Sequence, residues 1–223
     1  MLRTAFPVNV SAENAVFDIQ YSFIKRPTCD NTSWDEAKFE VCGQRYADLS
    51  SDDYGAALLN DCKYGYRVKG STLDLNLLRS PSYPDYSADR GTHTFTYSFL
   101  PHKGDHISGG VLPEAAALNR KPLRIDGAFS AAVEPPCTLT SDSVTMEVVK
   151  KAEKDNSLIV RLVENHGKHS SAALKLRDDK IVVSTTDLIE WGSGETLTPE
   201  AGIVHLDFAP FEIKTLHLEL PEK

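Results

Sequence analysis

No stretch of this sequence is apolar for long enough to cross a membrane as a helix, which takes about 20 residues. Met1 to Val10 holds one basic residue and no sustained apolar core, so no secretory signal is legible. Basic clusters are missing as well: 24 Lys and Arg against 32 Asp and Glu leave a net charge of −8, spread along the chain. That excludes a nucleic-acid binder, whose phosphate contacts need grouped cations. Cysteine is sparse. Cys29, Cys42, Cys62 and Cys137 stand far apart with no CxxC pair, which argues against structural zinc and for free thiols in a reducing compartment. The expected address is cytoplasmic, and the sequons at Asn9 and Asn31 then read as chance. Helical signal is nearly absent, apart from Val111–Asn119 with Pro113 near its first turn.

What is present is strand pattern. Leu73, Leu75 and Leu77 alternate with Asp74 and Asn76, and Phe95, Tyr97 and Phe99 alternate with Thr96 and Ser98. A side-chain period of two predicts half-buried strands, each with its apolar set turned to a core. These two span 72–79 and 94–100, the latter ended by Pro101, and further strands are expected over 6–10, 15–24, 54–60 and 66–69, with Gly70-Ser71 as a hairpin tip. From residue 128 strands recur at even spacing: 129–133, 144–151, 158–164, 172–176, 181–185 and 203–208. In the final stretch the apolar phase slips between Phe211/Ile213 and Leu216/Leu218/Leu220, and a β-bulge near Lys214-Thr215 would absorb the slip. The fold class is therefore all-β, an antiparallel β-sandwich in two parts, 1–126 and 127–223. The 223 residues suffice for buried cores without disulfides.

Between two of these strands lies a long polar loop from Arg79, with Pro81, Pro84, Tyr83, Asp85, Tyr86, Asp89, Arg90 and Gly91. A loop of that length on a rigid scaffold is where function collects. The words RYADLS, YGAALLNDCKYGY, LLRSP and ADRGTHTFTYSFLPH, in that order, resemble the C-terminal β region of glycoside hydrolase family 38, the retaining α-mannosidases. KRPTCDNTSWDEAKFEV and PFEIKTLHLEL fit the same bacterial and cytosolic-type branch. The resemblance implies that residues 1–126 are the C-terminal portion of a large mutarotase-like super-sandwich and that a smaller sandwich follows. It further implies that the catalytic barrel, with its carboxylates and zinc, lies outside this chain. The expected partners are that barrel, a mannose-containing glycan reached through the full-length enzyme, and a second copy of the chain if an unpaired sheet edge self-associates.

The same resemblance makes Asp89, Arg90 and Gly91 candidate substrate-binding residues on the rim of the parent's cleft. Arginine's planar fork suits sugar hydroxyls, and glycine lets the backbone turn; the competing reading is a loop salt bridge from Arg90 to Asp85 or Asp89. No catalytic residue is expected here, since a retaining pair needs carboxylates about 5–5.5 Å apart and Asp52-Asp53, Asp85/Asp89 and Asp178-Asp179 read as turn residues. No metal or cofactor is assigned; His166 and His169 form the one close histidine couple. Trp34, Trp191, Tyr83 and Tyr86 are either a sugar platform or plugs over a core, the plug being the favoured reading. Asn60 to Lys63 reads as a turn built around Asn60. Two other functions stay open: a stand-alone carbohydrate-binding module, which needs an exposed aromatic row, and a small mutarotase-like enzyme, which needs a His and a carboxylate facing a groove.

Overall fold

The alternation at Leu73, Leu75 and Leu77 turns all three inward, none more than 7% exposed. Each such burial contributes about 2 kcal/mol. The strands around them form a computed structural model that describes residues 1–127, 134–192 and 194–221. Its contacts divide the chain into Met1–Ile125 and Asp126–Lys223.

The first unit runs β1 (Leu2–Pro7), β2 (Asn14–Ile19), β3 (Ser22–Pro27), α1 (Ser33–Ala37), β4 (Val41–Cys42), β5 (Tyr46–Ser50), β6 (Tyr54–Asn60), β7 (Gly65–Lys69), β8 (Thr72–Leu78), β9 (Tyr97–Lys103) and α2 (Val111–Asn119). Two antiparallel sheets result, ordered β1-β8-β7-β4 and β3-β2-β5-β6-β9. Phe17, Leu49 and Leu58 of the larger sheet meet Tyr66, Leu73 and Leu75 of the smaller one in the main core. The larger sheet is buried on its other face too, where Val16, Tyr46, Ala57 and Leu59 pack against Val111 and Ala115 of α2. Burial on both faces explains why β6 reads Tyr-Gly-Ala-Ala-Leu-Leu-Asn, almost without polar alternation.

Several boundaries differ from the sequence reading. The expected strand over 15–24 is a β2–β3 hairpin whose tip holds Tyr21 at φ 57°, a left-handed turn with no glycine to announce it. The strand over 6–10 lies earlier, at Leu2–Pro7. The irregular stretch before Phe39 contains α1, where Thr32 and Asp35 cap one another. Pro101 does not end its strand. β9 continues to Lys103, because it is an edge strand and can tolerate a residue without a donor. Tyr97 and Phe99 face the other sheet but stay 39% and 38% exposed, with Phe6 stacked on Phe99 at 5.0 Å.

The second unit runs β10 (Cys137–Thr140), β11 (Val144–Lys151), β12 (Leu158–Glu164), β13 (Ser170–Leu176), β14 (Val182–Thr186), β15 (Thr196–Leu197), β16 (Ile203–Phe208) and β17 (Ile213–Glu219). Its sheets, β10-β13-β16 and β11-β12-β17-β14-β15, enclose one core that includes Val160, Leu162, Leu174, Leu206, Leu216 and Leu218. The expected strand over 129–133 lies outside the described residues. The expected bulge near Lys214 is absent: β17 pairs with β12 in unbroken register, Phe211 (φ 59°) belongs to the preceding turn, and Ile213 lies on the sheet face opposite the core residues Leu216 and Leu218. The register shift in this sheet falls instead between Met146 and Val148 of β11.

Candidate functional site

β8 belongs to the four-stranded sheet and β9 to the five-stranded one, so residues 79–96 carry the chain from one layer to the other. Three residues of this crossing take a positive φ: Ser80 at 47°, Asp89 at 60° and Gly91 at 122°. The loop is pinned from within. Asp89 accepts the Ser80 N–H at 2.7 Å, its carbonyl lies 2.8 Å from His93 Nε2, and Arg90 N–H donates to the Ser87 carbonyl at 3.1 Å. Asp85 accepts both N–H and Oγ–H of Ser87, which holds its carboxyl below the usual aspartate range.

The candidate residues Asp89, Arg90 and Gly91 therefore sit together on an exposed, internally braced turn. Asp89 serves the backbone, and among the described residues no ion pair to the Arg90 guanidinium forms, so the salt-bridge alternative is not what the structure contains. Tyr83 and Tyr86 project from the same loop, 81% and 75% exposed. An arginine fork with two phenols can hold hydroxyls or an oxyanion of a ligand.

The other candidates resolve locally. Asp178 accepts the Lys180 N–H at 3.0 Å, as a turn aspartate should. Asn60 Oδ1 accepts the N–H groups of Cys62 and Lys63, so the turn reading at 60–63 holds. Trp34 and Trp191 are 79% and 71% exposed, not plugs over a core. Among the described residues no group of three or more His, Cys, Asp or Glu could hold a metal ion. Nor is any helix among them long and apolar enough to cross a membrane.

Two buried polar sites escape sequence reasoning. In the first unit His102 Nε2 lies 2.6 Å from Asp48, with side chains 3% and 0% exposed, while Ser50 Oγ donates to the other carboxylate oxygen at 2.6 Å. The three residues superficially suggest a hydrolytic triad. Yet the hydroxyl bonds the acid rather than the imidazole, and the pair is sealed from solvent, so it can neither attack a substrate nor serve a mutarotase-like groove. In the second unit the Glu164 carboxylate accepts four backbone N–H groups, from His166, Gly167, Lys168 and Phe211, at 2.8–3.2 Å. Burial alone would raise its pKa, but those four bonds outweigh it and hold the group below the ordinary glutamate value. The available signal was a lone acid beside apolar neighbours, Ala47-Asp48-Leu49 and Val163-Glu164; His102 lies 54 residues from Asp48, and the Glu164 donors are main-chain groups that no residue type announces.

Comparison with known proteins bears on the chain's family. Residues 1–87 match the family model described as glycosyl hydrolases family 38 C-terminal domain, and residues 143–216 match the family 38 C-terminal beta sandwich domain. This chain is family 38 C-terminal β region. Over 98% of its length it is 41% identical to the alpha-mannosidase 2C1 of Homo sapiens, and over 96% it is 38% identical to alpha-mannosidase G of Dictyostelium discoideum. It spans 22% and 20% of those proteins, about a fifth of their length. The crystal structure of an alpha-mannosidase from Enterococcus faecalis V583 matches 97% of this chain and 25% of its own with a TM-score of 0.73; at 19% identity that likeness concerns the fold. The family 38 assignment thus rests on both halves of the sequence, and the sandwich architecture agrees with it.

Proposed function

We propose that this chain is the non-catalytic C-terminal β region of a retaining α-mannosidase that removes terminal α-linked mannose, and that the 79–96 crossing lines the rim of that enzyme's cleft. The observation that carries the reading is the match of both halves to family 38 C-terminal domains, in a chain spanning a fifth of relatives named as alpha-mannosidases. A catalytic barrel, outside these residues, would supply the nucleophile, the acid/base carboxylate and zinc; nothing among the described residues of this chain fits a metal. On the rim, Arg90 is placed to hold substrate hydroxyls while Asp89 fixes the turn that presents it. A cytoplasmic address and self-association belong to the same proposal.

The first test is hydrolysis of a chromogenic α-mannoside by the purified chain, with and without zinc. No turnover is expected in either condition, and zinc-dependent turnover would overturn the reading. The second replaces the corresponding region of the Homo sapiens alpha-mannosidase 2C1 with this chain. Activity should survive, and R90A should then lower kcat/KM about tenfold, roughly the loss of one charge-assisted hydrogen bond. Unchanged kinetics in R90A would remove Arg90 from the substrate.

A further inference from the structure

Cross-strand register sets Arg26 opposite Ala15 and Ile24 opposite Phe17, so Arg26 shares a sheet face with the two core residues. Alternation calls for an apolar side chain there, and a cation stands in its place. The guanidinium carbon lies 4.8 Å from the centroid of the Phe17 ring, a cation–π arrangement. Its Nη1 is buried and makes no hydrogen bond, and no carboxylate pairs with it among the described residues. Two other part-buried arginines of this unit show what is missing: Arg3 is held by Asp74 and Glu40, Arg45 by both oxygens of Asp18. Their contrast shows in the charge balance as well. Arg3 is pushed above the ordinary guanidinium pKa despite its burial, whereas at Arg26 burial outweighs the nearby Cys42 thiol and pulls the group below it.

Beside Arg26 a cavity of about 350 Å³ opens between the margins of the two sheets. Phe17 and Val68 continue the core into its wall; Phe39, 63% exposed, stands at the cavity, as do the carboxylates Asp35 and Glu36. A partly desolvated charge without a counterion costs free energy, and an anion in the cavity would return it. The lining also carries Lys38, Arg67 and the Lys69–Asp30 pair, so Arg26 is not the only cation an anion would meet. An exposed aromatic face takes the C–H side of a pyranose ring and carboxylates accept hydroxyl protons. The volume is that of a small-ligand site.

We infer that this cavity binds an anionic monosaccharide, its oxyanion on Arg26 and its ring between Phe39 and the two carboxylates. The site lies within the first unit and does not depend on the mannosidase reading; it would stand if that reading failed. Phosphate esters and uronic acids share the required chemistry, so both are tested.

The experiment is isothermal titration of the purified chain with glucose 6-phosphate, glucuronate, glucose and inorganic phosphate, each up to about 10 mM. At least one anionic sugar should bind at least about tenfold more tightly than glucose or phosphate alone. The tighter of the two names the natural class. R26M should abolish that binding, and F39A, a change at an exposed side chain, should weaken it without disturbing the fold. Circular dichroism and the thermal midpoint identify an unfolded variant, in which case F39A alone decides. No saturable binding of either anionic sugar overturns the proposal, as does binding that a folded R26M or F39A leaves unchanged.

Discussion

Besides Asp18, which Arg45 pairs, each unit buries a carboxylate that no Lys or Arg holds among the described residues, and the two are satisfied in opposite ways. In the first, Asp48 faces an imidazole on one side and a serine hydroxyl on the other, so its partner is itself titratable. In the second, Glu164 faces only backbone N–H groups, from a hairpin turn and from the turn before β17. Hydrogen bonds to the charged form can stabilise a carboxylate without any cation. The lesson is that similar burial need not give similar behaviour: one site links two side chains across β5 and β9, the other ties loops together through the main chain.

The largest effect is expected where the carboxylate is lost from its four donors. E164A should cost the second unit about 3 kcal/mol or more, since several buried N–H groups lose a charged acceptor. Urea unfolding followed by peptide-level hydrogen exchange would read that loss, and the peptides around 164–168 and 209–212 should lose protection first. D48N breaks the other arrangement and should destabilise the first unit by about 3 kcal/mol, the usual cost of removing one member of a buried ion pair. Equal loss of protection in both units for either substitution would erase the contrast.

The pH response sharpens it further. Hydrogen bonding to Asp48 outweighs desolvation and raises the His102 pKa above its ordinary value near 6.5. A raised folded pKa stabilises the fold fully below the unfolded value and ceases to do so as pH rises through the folded value. Glu164 is depressed, so its contribution is complete above the unfolded glutamate value and is lost as pH falls through the folded one. Comparing wild type with D48N should therefore show a stability difference that shrinks on going alkaline. The difference between wild type and E164A should shrink on going acid. A D48N difference that grows between neutral and alkaline pH would refute the His102 assignment.

A smaller effect is expected at Gly167, in the turn that feeds Glu164. Its φ is 71°, and a Cβ there would lie 2.6 Å from the Phe211 ring, so G167A should cost about 1–2 kcal/mol in a thermal melt. The smallest belongs to the exposed loop. R90A should leave chain stability within about 0.5 kcal/mol, as surface substitutions do.

How much of this was legible in advance depends on the range of the interaction. Leu73, Leu75 and Leu77 declared β8 because a strand writes its burial into neighbouring positions. The α2 helix was equally clear, and so was the Asn60 turn, where a side chain bonds the N–H groups two and three residues on. The β2–β3 hairpin was missed because Tyr21 carries a left-handed turn without glycine or asparagine. At β9 the phase was read correctly but the burial was overestimated, for a different reason. At an edge, Tyr97 and Phe99 satisfy themselves against Phe6 and stay half-open, while Leu100 occupies the face under α2. The candidate loop was visible as a polar interval with an Arg-Gly pair. Its internal bracing by Asp89 was not, since nothing in the sequence chooses between Ser80 and Arg90 as its partner. Glu164 was invisible because its four donors are main-chain groups, which every residue shares.

Pro101 has a consequence for growth of the sheet. Gly104 N–H donates to Asp53 and Asp61 N–H to Thr96, which fixes the alternation of bonded pairs between β6 and β9. Residue 101, opposite Ala56, falls at an unbonded position, with its nitrogen directed away from β6. The outer rim of β9 thus offers a visiting strand a ladder with a missing rung at its centre. A strand added there must skip that donor or kink around the ring, so head-on extension into a continuous two-chain sheet is opposed at the very edge that is otherwise open to it.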